Sequence, residues 1–98
     1  MTIEDARLDR IVAAAFGIPL RPYSVNILDT QQLWRVFKRR GYHYRCFGLS
    51  AGGPTNFRLY KRGNVDVQSP DVEAEGIDTQ HAVCFAALKF VGIDVEEW

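Results

Sequence analysis

Two cysteines in 98 residues, Cys46 and Cys84, are too few for a disulfide scaffold, and neither belongs to a Cys-x-x-Cys pair. Buried free thiols are therefore the expected state. Histidine is as scarce: His43 and His81, taken with the two cysteines, match no zinc-ligand spacing, so no metal is expected. A Cys-His nucleophile pair is conceivable on the same four residues, but Cys84 lies in the most apolar stretch of the chain, where a thiol is inert. The acids of DVEAEGID lack the Asp-x-Asp-x-Asp-Gly order of a calcium loop and read as a solvated loop. The glycine-rich LSAGGPTN lacks a Gly-Lys-Ser/Thr ending and precedes a strand, so it reads as a flexible hairpin rather than a phosphate loop. No catalytic residue and no cofactor emerge, and the protein is read as a non-enzyme.

Long hydrophobic runs are also missing. Nothing approaches the roughly 20 apolar residues that span a bilayer, and the opening Thr2-Ile3-Glu4-Asp5 lacks the basic-then-apolar layout of a signal peptide. The expectation is a soluble protein of the cytoplasm. With 47% hydrophobic residues and no internal repeat, the chain suits one domain around one core.

Net charge is absent, but its distribution is uneven. From Arg21 to Arg62 nine basic residues face one acid, Asp29, whereas from Gly63 to Trp98 eight acids face Lys89. Either the two halves meet in the fold, or the central segment forms an anion-binding surface.

Helical spacing of Leu8, Ile11, Val12 and Ala15 predicts a first helix over Ile3 to Phe16, with Thr2 as cap and Gly17 as stop. A second helix is expected in LDTQQLWRVFKRRGY, with Asp29 and Gln32 as a capping box, Leu33, Val36 and Phe37 buried, Trp34 at the core edge and Gly41 as stop. The period then changes to two. Strands are expected from Tyr42 to Leu49, from Phe57 to Lys61 and from Val65 to Ser69, joined as an antiparallel meander. A last helix from Thr79 to Val91, capped by Asp78 and ended by Gly92, is apolar nearly all round and so should be the central packing element. Trp98 is expected to dock on the domain or on a partner. The fold class is α+β, in the order helix, helix, three-stranded antiparallel sheet, helix.

With these elements placed, the segments LDRIVAAAFGIP, PYSVNILDTQQLWRVFKRRGYHYRC and DTQHAVCFAALKFVGID resemble the phage αβα ("ABA") sandwich domain of small bacteriophage and prophage proteins. The likeness covers nearly the whole chain and departs from the pattern at Val91, where a leucine is expected. It implies a fold and a phage origin, and no reaction. The order of elements also matches a double-stranded-RNA-binding domain, although Asp78-Thr79-Gln80-His81 stands where that domain needs lysines.

Strand alternation sorts the sheet residues into two sets. Tyr44, Cys46, Phe57, Leu59, Val65 and Val67 should face the helices. His43, Arg45, Phe47, Arg58, Tyr60 and Arg62 should line the other face as candidate binding residues, because arginine forks fit phosphate and aromatic planes stack on bases or anchor interfaces. Covering of that face by the first helix is the alternative. The resemblance implies a phage accessory protein that binds a host component as an anti-defence factor, either a host protein such as a nuclease effector or an anionic nucleotide signal. A nucleic-acid-binding module is the alternative function, and the divided charge suggests a homodimer.

Overall fold

Helix, helix, three strands and a closing helix follow one another in the computed structural model, which describes residues 3–48, 54–66 and 68–93. The expected roles of Thr2, Val67 and Trp98, and residues 49–53 of the glycine-rich connection, lie outside the described residues. The α+β class and the element order are as the sequence predicts.

Helix α1 runs over Ile3–Phe16 and buries Leu8, Val12 and Ala13. Helix α2, Ile27–Arg39, begins earlier than the capping-box reading predicts. Asn26, not Asp29, is its cap: its backbone is extended and its side-chain oxygen accepts the Leu28 amide at 2.9 Å, one of the free donors of a helix start. The Asn26 amide is itself taken by the Pro22 carbonyl at 2.9 Å, so the turn begun at Pro22 sets the helix entry. At the far end the φ of +85° at Gly41 lets the chain reverse into strand β1, Tyr42–Gly48.

Strand β2 spans Thr55–Lys61 and pairs antiparallel with β1, placing Arg45 opposite Arg58 and His43 opposite Tyr60. The third strand is displaced from its expected position. The described residues of the stretch expected as strand Val65 to Ser69 are exposed and form no strand; Asn64 Oδ1 accepts the Asp66 amide and Asp66 Oδ1 accepts the Gln68 amide, both at 3.0 Å. These local bonds satisfy donors that a ladder would otherwise use. Val65, expected in the core, is 91% exposed. The acidic stretch read as a loop is instead strand β3, Val72–Gly76, paired with β2. Its alternation of Val72, Ala74 and Gly76 with Glu73 and Glu75 puts small side chains inward and carboxylates outward.

Helix α3, Thr79–Phe90, is the centre of the molecule, as its all-round apolarity predicts. It packs on β2 and β3 on one side and on α1 and α2 on the other, burying Ala82, Val83, Cys84, Ala86, Ala87 and Leu88. Gly76 allows a close approach of β3 to α3: a Cβ there would stand 2.3 Å from the Ala82 backbone nitrogen. All three helices lie in the layer on the inner face of the sheet, and α1 leans on α3 rather than on the outer face. No described helix is long and apolar enough to cross a membrane.

Candidate functional site

Alternation along β1 and β2 sends His43, Arg45 and Phe47 outward beside Tyr60, Arg58 and Asn56, and β3 adds Glu73 and Glu75 to the same face. Five of the six residues predicted for the binding face thus stand together, and Arg62 extends the row just past the end of β2, its amide bonded to the Gly41 carbonyl at 2.8 Å. They are not equivalent. Arg58 is held on three sides: an ion pair to Glu73 Oε2 at 2.7 Å, donation to Asn56 Oδ1 at 2.8 Å, and the Phe47 ring 5.0 Å from its guanidinium carbon. Hydrogen bonding to Tyr60, with the charge of Glu73, raises its pKa above the ordinary arginine value. Tyr60, expected on an open face, is only 1% exposed and stacks on His43 at 5.3 Å between centroids. Both are therefore committed to the protein itself.

Arg45 differs. It is exposed on edge strand β1, opposite an arginine whose charge is already matched. Across the sheet, the charge grades from basic at β1 to acidic at β3.

The inner side of β1 adds residues that the sequence reading did not assign to a site. Tyr44 points toward the helices yet is 43% exposed, because α2 covers β1 only in part. Trp34 leans on it with ring centroids 4.8 Å apart. Together with Gln31, Arg35, Lys38 and Tyr42 they line a groove of about 390 Å³ between α2 and the β1 edge. Arg35 and Lys38 were legible only as the polar side of an amphipathic helix; their place beside β1 depends on how that helix docks. A second depression of about 480 Å³, on the other flank of α2, sets Asp29 among the cations Arg21 and Arg39 and is less suited to an anion.

Cys46 faces the helix layer but is exposed, correcting its expected burial; its thiol is nevertheless raised in pKa by partial desolvation. Cys84 is fully buried, and burial pushes its pKa well up, with the carboxylates of Asp9, Asp78 and Asp5 adding to the effect. Neither thiol is activated as a nucleophile.

A third cluster lies where α1 meets the start of α3. His81 is clamped between two carboxylates, Nδ1 to Asp78 Oδ1 and Nε2 to Asp5 Oδ1, each 2.7 Å. Burial pulls its pKa down, but the bonds to Asp5 and Asp78 outweigh this and the net direction is up. Nearby Asp9 is buried and raised in pKa, chiefly by desolvation, although its Oδ1 accepts the Ser24 amide at 2.8 Å. This acidic, internally paired knot occupies the place where a double-stranded-RNA-binding domain would present lysines. Among the described residues no group of acids, histidines and cysteines forms a metal site.

No protein-family profile matches this chain, and neither a curated protein nor a solved structure matches it significantly.

Proposed function

We propose that this chain is a non-enzymatic binding protein that holds an anionic partner along strand β1 and the adjoining surface of α2. The observation that carries this reading is the asymmetry of the Arg45–Arg58 pair: Glu73 matches Arg58, while Arg45 stays exposed on the edge strand. Arg35 and Lys38 on one side of β1 and Arg45 on the other put cations on both flanks of one strand. Trp34, Tyr44 and Phe47 supply aromatic surface between them. Such a mixture favours charged partners by steering and anchors them by ring contact.

The resemblance to phage αβα sandwich domains supports placing the partner in a bacterial host, with a host nuclease effector or an anionic nucleotide signal as the target of an anti-defence protein. Arg45→Glu tests the site. Fluorescence titration against acidic peptides, nucleotides and short oligonucleotides at two salt concentrations should show affinity lost by at least about tenfold, roughly 1.4 kcal/mol, with the fold intact. Unchanged binding of every anion by the variant overturns the assignment.

A further inference from the structure

The outer edge of β1 carries main-chain groups that no described strand takes. Because the Arg62 amide bonds to the Gly41 carbonyl, the pairs at His43, Arg45 and Phe47 direct their ladder bonds to β2, and the N–H and C=O groups of Tyr42, Tyr44, Cys46 and Gly48 point away from it. β1 is the terminal strand of the sheet on that side. This edge, unpaired among the described residues, is seven residues and about 23 Å long at 3.3 Å per residue and is a template for another strand.

We propose that the anionic partner is an acidic segment of another protein that binds in extended form, adding a fourth strand to the β1 edge. This rests on the preceding reading and names the partner's class. Alternate side chains of the added strand fall on opposite faces. Those on the helix side meet the groove where Trp34 and Tyr44 stack, with Arg35 and Lys38 at its rim, so an aromatic or aliphatic anchor flanked by a carboxylate fits there. Those on the outer side meet Arg45 and Phe47. Main-chain bonds to Tyr42, Tyr44, Cys46 and Gly48 supply affinity, and the cations select Asp and Glu.

Charge disfavours two other occupants. A second copy paired through its own β1 would bring Arg45, Arg35 and Lys38 against their like. A nucleic acid laid across the sheet from Arg45 would meet Glu73 and Glu75 on the same face, and its backbone has no N–H to complete the edge.

The test uses the intact protein and a fluorescein-labelled octapeptide alternating glutamate with valine and carrying one phenylalanine. Two further versions are N-methylated on alternate amides, one on the even and one on the odd positions, and a twelve-residue oligothymidylate is the nucleic-acid probe. The expected result is binding of the plain peptide, a loss of at least about tenfold in one methylated series, equivalent to about 1.4 kcal/mol, and retention in the other, since only one set of amides faces β1. Equal binding of both series overturns strand addition while leaving charge attraction intact. Binding of the oligothymidylate without the peptide also overturns strand addition and keeps the anionic reading. Self-association that the peptide does not reverse assigns the edge to a second copy and overturns the proposal. Binding of no anion removes both readings.

Discussion

His81 Nε2 and Asp5 Oδ1 meet at 2.7 Å although the residues are 76 positions apart, so one hydrogen bond ties the first turn of α1 to the first turn of α3. The other imidazole nitrogen is held by Asp78, the cap of α3, whose Oδ1 also accepts the His81 amide at 2.8 Å. Two carboxylates on one imidazole favour the imidazolium, and folding therefore favours the protonated form.

Stability should consequently fall as pH rises through this site. The folded pKa of His81 lies above the free value of 6.5, so its contribution is complete below about pH 6.5 and is lost as pH passes the folded value. Asp9, raised by burial, adds a loss of the same sign at lower pH, starting near its free value of 3.8. Urea midpoints measured from pH 6 to 9 should decline in the native protein and flatten in His81→Gln. An identical pH slope in the variant would show that the clamp does not control docking of α1.

Gly76→Ala should be among the most damaging small substitutions. Its Cβ would strike the backbone of Ala82 at 2.3 Å, and neither β3 nor the buried turn of α3 can give way cheaply. The expected loss is at least about 1–3 kcal/mol, as for other overpacked sites. Chemical denaturation checks it, and a native-like midpoint would contradict this close approach.

Leu88→Ala should cost about 2–5 kcal/mol as a large-to-small change in a closed core. Leu88 is fully buried in the helix that touches β2, β3, α1 and α2. An unshifted denaturant midpoint would remove α3 from the centre of the fold.

The two helix-entry polar residues give a sharp comparison. Asn26→Ala should lower stability by about 0.5–2 kcal/mol, whereas Asp29→Ala should do less, because the Leu28 amide is bonded by Asn26. The reverse order, read from thermal or urea unfolding, would restore the capping-box reading.

The two outward arginines should separate in their effects. Arg58→Ala breaks an ion pair, a hydrogen bond and a ring contact and should lower the urea midpoint measurably. Arg45→Ala should change stability by less than about 0.5 kcal/mol. If both variants unfold alike, Arg58 is not the structural partner that its bonds to Glu73 and Asn56 indicate.

Much of the fold was written in local pattern. Helical spacing marked α1, the terminal glycines marked the stops, and period-two alternation sorted Arg45 from Tyr44 and Arg58 from Leu59, because side-chain direction follows from backbone geometry within a few residues. The face carrying His43, Arg45, Phe47, Arg58 and Tyr60 was legible for that reason. The place of β3 was obscured by the hydrophobic look of Val65, while the weaker alternation of Val72, Ala74 and Gly76 became decisive only once Phe57 and Leu59 offered partners.

Tertiary structure alone decided which of these residues are free. It spent Arg58 on Glu73, buried Tyr60 on the outer face, left Tyr44 and Trp34 half open at the edge and joined Asp5 to His81. Each of these depends on contacts between segments distant in the chain. Spacing along one strand or helix carries residue identity and direction, whereas exposure and charge pairing are set by whichever element packs alongside.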